Sequence, residues 1–337
     1  MRQETPPVNY ISRMTDPLPL TGVHHVSSLS ANIGRTHDFY TRVLGLRPLI
    51  RTVNQDQPTM YHLFFGDGAG TPGSDMTVFD IPHAAPERPG NNSISLTTFR
   101  IHGDAAFDYW VARFADLGVP QRPPAERDGR RALDFADFEG TQLSLVEDGG
   151  GSAAFPWAAS PVPPAQQIRG LGYVSITVPS LGTTDAFLTR ALGLSHDHSY
   201  PVADAPRHET HVYTAGSGGA HAEVHVTVRD DLPEARYGAG GVHHVALRVP
   251  DQPMEAWVRR LDELGHRNSG VVDRHYFTSV YVREPNRVLF ELATEGPGFE
   301  VDGPIDPERL SLPPALEPRR GEIESKLRPI DTRGPWS

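Results

Sequence analysis

The stretch GVHHV at residues 22–26 returns unchanged at 241–245. A histidine pair in an apolar pentapeptide carries little information once; its return in the second half of the chain raises the question of a repeat. Read outward from each copy, the surroundings also match. GVHHVSSLS, from Gly22, has the look of a short strand and precedes the helical NIGRTHDFYTRVLGL, which closes at Leu44-Gly45. GVHHVALRVPD, from Gly241, precedes PMEAWVRRLDELGH, which closes at Leu264-Gly265. The same layout opens at Gly170, where GLGYVSITVPS is followed by LGTTDAFLTRALGL and the stop Leu192-Gly193. A more diverged copy, NNSISLTTFRI and DAAFDYWVARFADLGV, closes at Leu117-Gly118.

The helical segments carry apolar residues at helical spacing, as in Phe107, Trp110, Val111, Phe114 and Leu117, and each stops at a glycine suited to a left-handed cap. Short β-like runs follow: 46–53, 60–65 and 76–79 in the first unit, and 271–274, 278–282 and 288–294 in the fourth. The unit is therefore β-α-β-β-β, present four times. One such unit cannot bury both faces of its sheet, so pairs are expected to join into curved, half-open barrels with a pocket on the concave side. The predicted class is α+β. Residues 1–20 form an N-terminal extension, 21–148 hold units one and two, and 168–299 hold units three and four. The Gly, Pro and Ala-rich 149–167 is a linker, and 300–337 is a tail with one short charged helix.

Composition narrows the chemistry. Of 337 residues 38% are hydrophobic, enough for packed cores, and no apolar run approaches a membrane span. The first twenty residues lack the apolar core of a signal peptide, which predicts a soluble, cytoplasmic protein with no membrane partner. A formal charge of −11 argues against nucleic acid as a partner. With no cysteine, thiolate ligands and nucleophiles are excluded, so any metal must rely on His, Asp, Glu or water.

Aligning the units on their opening glycine puts His25, Tyr173 and His244 at one position, with Thr97 or Thr98 nearby in the second unit. Glu291 stands alone among Leu289, Phe290, Leu292 and Ala293, an expensive place for a carboxylate unless a positive group compensates it. Two histidines and a carboxylate in one cup make a facial triad with open coordination positions, suited to Fe(II) or Mn(II) and also to Zn(II). Each signal has a plainer reading, a packed histidine pair or an edge-strand glutamate, and it is their coincidence in repeated units that favours a site. His221, Glu223 and His225 share one face of AHAEVHVTV, but residues i and i+4 of a strand lie about 13 Å apart, so this reads as a solvated face. HETH at 208–211 lacks the spacing of a helical zinc motif, and GDGAGTPG at 66–73 matches no phosphate-binding fingerprint.

These residues resemble the vicinal oxygen chelate superfamily, built of βαβββ modules with a glyoxalase-like fold, and within it the hydroquinone-type ring-cleaving dioxygenases, which include the chlorohydroquinone dioxygenases. The resemblance is carried by both GVHHV strands, YHLFFGDGAGTPGSDMT, DRHYFTSVYVREP and VLFELATEGPGF, and runs from about Val23 to the tail. It implies His25, His244 and Glu291 as metal ligands, Fe(II) as cofactor with Mn(II) as an alternative, and a small aromatic diphenol with O2 as substrates. By the same resemblance His243, Tyr281, Arg274 and His24 are catalytic candidates and Ser27 stands near the substrate; His275, a departure from the family, is a further substrate-binding candidate. His24 and His243 pose a difficulty, because neighbours on a strand normally point apart. Arg287 stands where a turn glycine is usual, and His275 where a small or aromatic residue is common. Rival readings are an extradiol catechol dioxygenase, a glyoxalase-like isomerase and a metal-free drug-sequestering protein. The isomerase would want a carboxylate in 76–79, which has none, and the metal-free protein would lack the triad. A homo-oligomer is left open.

Overall fold

The structure is a computed structural model that describes residues 18–250 and 253–330; the rest of the expected extension and tail lies outside the described residues. Among the described residues, sixteen strands and five α-helices follow the expected order. Unit one comprises β1 (Val23–Ser30), α1 (Ile33–Asp38), β2 (Arg47–Asn54), β3 (Gln57–Gly66) and β4 (Asp75–Asp80). Unit two comprises β5 (Ser93–Ile101), α2 (Asp104–Leu117), β6 (Ala125–Arg127), β7 (Arg130–Ala136) and β8 (Gln142–Glu147). Unit three comprises β9 (Leu171–Val178), α3 (Gly182–Ala186), β10 (Ser195–Val202), β11 (Ala205–Thr214) and β12 (Glu223–Val228). Unit four comprises β13 (Val242–Val249), α4 (Glu255–Glu263), β14 (Val272–Asp273), β15 (Phe277–Arg283) and β16 (Leu289–Pro297), and α5 (Arg320–Lys326) lies in the C-terminal segment.

The glycines stop the helices as the pattern predicts: Gly45, Gly118, Gly193 and Gly265 all have φ between 67 and 76°. Units one and three end in the same local way. Their helices loosen into a π-turn, over Phe39–Val43 and Phe187–Ala191, before the glycine. The helices bury one face each against the sheet, Phe107, Trp110 and Phe114 from α2 and Trp257 and Leu261 from α4. Burial of each such side chain stabilises by about 1.5–3 kcal/mol.

The sheet does not pair along the chain as the domain division anticipates. β1 of unit one runs antiparallel to β13 of unit four, and β5 of unit two to β9 of unit three, giving the continuous path β10-β11-β12-β9-β5-β13-β1-β4-β3-β2. Units one with two and three with four meet instead through their helices. Arg113 of α2 donates to the carbonyls of Val43 (2.9 Å) and Arg42 (2.5 Å) at the end of the unit-one helix. Arg260 of α4 does the same to Ala191 (2.8 Å) and Arg190 (2.6 Å) in unit three. A guanidinium fork satisfies carbonyls that a helix end leaves open, and its charge suits the negative end of the helix dipole. Sheets and helices thus partition the four units differently.

Candidate metal centre

The β1–β13 pairing explains both histidine pairs. Its register steps between Val23 and His25, where His24 has no counterpart on β13, and again between Ser27 and Ser28, where His243 has none on β1. Each extra residue is a β-bulge, which re-aims side chains that plain alternation would send to opposite faces. In both pairs the neighbouring rings then meet through Nδ1, His24 with His25 at 3.0 Å and His243 with His244 at 2.8 Å. The two bulges are related by a pseudo-twofold through Val26 and Val245, which face each other.

The bulges leave Nε2 of His25 and Nε2 of His244 facing one another at 3.2 Å. Glu291 of β16 closes the triangle, its Oε2 lying 3.2 Å from His25 Nε2 and 2.9 Å from His244 Nε2. Donor bonds of about 2.0–2.2 Å at right angles would put neighbouring donors about 3 Å apart, so this is the spacing of three ligands on one face of an octahedron. All three residues are buried, and Glu291 Oε2 has no hydrogen-bond donor among the described residues. Burial alone would raise the Glu291 pKa, but His25 and His244 hold it well below the usual carboxylate range. A buried, ionised oxygen aimed between two ring nitrogens fits a divalent cation.

The surroundings fix how these three side chains are presented. Ser279 donates to the other oxygen of Glu291 at 2.5 Å. With Nε2 of His25 reserved for a metal, its Nδ1–H donates to His24, whose Nε2–H donates to the Thr294 carbonyl at 3.1 Å. Burial pushes the His24 pKa down to about 3, so that ring is a neutral link. The same reasoning makes His243 an acceptor from His244 through Nδ1, which leaves the proton on Nε2 of a ring that lines the cavity.

That cavity has a volume of about 220 Å³ and is bounded by His25, His244 and Glu291 at one end. Leu29, Val53, Met60, Phe64, Phe79, Ile81 and Phe277 supply apolar walls. Arg274 and Tyr281 form the polar side. Arg274 Nε donates to the Tyr281 hydroxyl at 3.0 Å, stands 5.0 Å from its ring and pairs with Asp56 at 3.1 Å. Burial, then the Glu291 charge, push the Tyr281 pKa up, so it holds its proton and donates it.

The remaining expected site residues are placed differently. Ser27 and His24 do not line the cavity; the Ser27 hydroxyl lies 3.0 Å from His244 Nε2 and 2.6 Å from the Thr77 hydroxyl. His275 is a correction. Its backbone is left-handed (φ 73°) and its ring points to Asp302 of the C-terminal segment at 2.7 Å, away from the cavity walls. Arg287, in the place of a turn glycine, is left-handed as well (φ 74°). His62 was passed over, although its ring lines the cavity. The signal was the alternation of β3: Tyr61, Leu63 and Phe65 enter the main core, whereas Met60, His62 and Phe64 face the cup.

His221, Glu223 and His225 need a second correction, because Glu223 and His225 are buried rather than solvated. They fill the other cup, between units two and three. His225 occupies the register of Glu291, and Tyr173, in the place of His25 and His244, stacks on it at 3.8 Å and 5°. Arg130 binds both oxygens of Glu223 at 2.6 Å, and Glu223 also meets His225 at 3.0 Å. A guanidinium neutralises this carboxylate, so Asp128, Glu223 and His225 do not need a metal even though they lie together.

Comparison with known proteins places the chain in a family. Residues 170–292 match the family described as Glyoxalase/Bleomycin resistance protein/Dioxygenase superfamily. "Putative ring-cleaving dioxygenase MhqA" of Bacillus subtilis (strain 168) is 44% identical over 317 residues, covering 93% of this chain and 100% of that protein. Chlorohydroquinone/hydroquinone 1,2-dioxygenase of Sphingobium indicum is 27% identical, covering 92% of this chain and 96% of that one. A crystal structure of a "putative dioxygenase" from Bacillus subtilis superposes with a TM-score of 0.85 at 31% identity, covering 94% and 99%. Glyoxalase I from Zea mays (TM-score 0.60, 15% identity, 81% and 92% covered) shares the fold. The chain belongs to the ring-cleaving dioxygenases of this superfamily.

Proposed function

We propose that this chain is a non-haem Fe(II)-dependent dioxygenase, with Mn(II) as the alternative ion, that opens the ring of a hydroquinone-like para-diphenol with O2, in the cytoplasm. The observation that carries the reading is the triangle of His25 Nε2, His244 Nε2 and Glu291 Oε2 at the end of a one-ring cavity. A cavity of roughly 150 Å³ admits benzene, so about 220 Å³ suits a single substituted ring. The name of the Sphingobium relative supports a diphenol as substrate.

When bound, the ion supplies a Lewis-acidic, redox-active centre for a phenolate and O2. The chain's own residues do the rest. Tyr281, its oxygen already accepting from Arg274, turns its O–H toward the cavity, and His243 presents Nε2–H from β13, on the other side of β16. Both act as donors toward oxygens in the cavity, and burial pushes the His243 pKa down to about 3, which keeps it neutral. Phe79 and Phe277 keep bulk water from the ligand face. The test is anaerobic loading with Fe(II), then O2 uptake and product mass with a panel of hydroquinones and catechols. Uptake with hydroquinones and a product heavier by O2 is expected. Uptake with catechols only would assign the extradiol chemistry, and none from an iron-loaded protein would overturn the reading.

A further inference from the structure

His62 is a cavity residue with an unused hydrogen-bonding atom. It lies on β3 directly across from Phe79 of β4, and its ring is clamped, 4.0 Å from Phe79 (24° between planes) and 4.2 Å from Phe64. Its Nε2 meets the Thr77 hydroxyl at 2.9 Å, Thr77 meets Ser27 at 2.6 Å, and Ser27 lies 3.0 Å from the metal-facing Nε2 of His244. Its Nδ1 has no hydrogen-bond partner among the described residues and is open to the cavity. A clamped imidazole with one nitrogen tied down and the other free is a binding group rather than packing, because an apolar ring would fill the same space without the polar cost.

Two hydroxyls in series make this group adaptable. Each can donate or accept, so the chain runs in either direction. With Ser27 donating to Thr77 and Thr77 to His62 Nε2, the proton of His62 sits on Nδ1 and points at the cavity. With the chain reversed, Nδ1 is an acceptor and Ser27 turns its proton toward the ligand face. Burial keeps the His62 pKa well below its usual value, so one nitrogen carries a proton and the other does not. The three links of 2.6–3.0 Å keep His62 within two hydroxyls of His244 Nε2.

We propose that His62 contacts the substrate, with Nδ1 taking the ring hydroxyl remote from the metal, and that Thr77 and Ser27 tie its tautomer to the ligand face. The inference rests on the diphenol reading of the cavity. His62 therefore selects a second hydroxyl: a diphenol satisfies Nδ1, and a simple phenol leaves it unpaired.

The test uses the full chain loaded with Mn(II) or Fe(II) under argon, titrated with hydroquinone and, separately, with phenol by calorimetry. Wild type is expected to bind hydroquinone about tenfold more tightly than phenol, the worth of one good hydrogen bond. His62→Phe should bring that ratio to within about twofold, raise KM for the diphenol with kcat little changed, and leave metal content untouched. His62→Gln, which keeps a donor and an acceptor, should recover part of the ratio, and Thr77→Val should reduce it with His62 in place. These two variants decide the matter if His62→Phe does not fold. A wild-type ratio preserved in all three variants overturns the role of His62 alone, with ring cleavage intact. Absence of diphenol binding to metal-loaded wild type overturns both this role and the proposed reaction.

Discussion

Glu291 has the heaviest duty of any single side chain, since it is a fully buried carboxylate. Glu291→Ala is expected to reduce bound Fe(II) from about one equivalent to below detection, as measured by elemental analysis after gel filtration, while His25→Ala and His244→Ala each do the same. Retention of metal by Glu291→Ala would show that the triangle is not the site. Tyr281→Phe asks a different question. It removes a proton donor but no ligand, so metal content should be unchanged and kcat should fall by about 10²-fold or more, read from O2 uptake. At this scale much was open to reading beforehand. Repetition singled out His25 and His244, and an acid in an apolar strand singled out Glu291. The directions of His24 and His243 were not readable, because a bulge is a property of two strands in register and alternation is a property of one. His275 misled for a related reason: its left-handed backbone and its partner Asp302 are set by the returning C-terminal segment.

Elements were more predictable than their partners. Glycine stops and alternating strands are local, and the described strands and helices fall where those signals put them. Which units share a sheet is decided by strand ends hundreds of residues apart, and nothing local separates the pairing of one with four from one with two. The helix contacts show that both partitions are used. Arg113 and Arg260 are predicted to be equivalent clasps. Arg113→Ala and Arg260→Ala should each lower stability by about 1–3 kcal/mol in denaturant titrations, the scale for hydrogen bonds from a charged donor, and the double variant should be additive because the clasps lie on different helix pairs. Neither variant should alter metal content. A pronounced loss of metal would mean that the helix layer positions the ligands.

For the whole molecule, the two cups are one architecture with two fillings. One draws His25, His244 and Glu291 together; the other holds a cation of the chain's own, Arg130, against Glu223. Burial would raise the Glu223 pKa, but hydrogen bonds from His225 and Arg130 hold it at about 2, against an ordinary 4.5. A carboxylate lowered on folding stabilises above its unfolded pKa, so the contribution is complete above about pH 4.5 and is lost as pH falls toward 2. Denaturant melts between pH 6 and pH 2.5 should show that loss, on the order of 3 kcal/mol at most. In Glu223→Gln this part of the pH dependence should be absent; an unchanged profile would place the acid sensitivity elsewhere.

The pseudo-twofold at Val26 and Val245 also has a bearing on when the facing histidines can come together. His25 stands near the start of the chain and His244 more than two hundred residues later, and their nitrogens come together only when β1 and β13 pair. Such distant pairing belongs to the slow, late part of folding. During synthesis β1 must wait, with half a site and an exposed edge, until unit four has left the ribosome. The nascent chain therefore cannot bring the His25 and His244 nitrogens together early, and their meeting becomes a report that the first and fourth units have found each other.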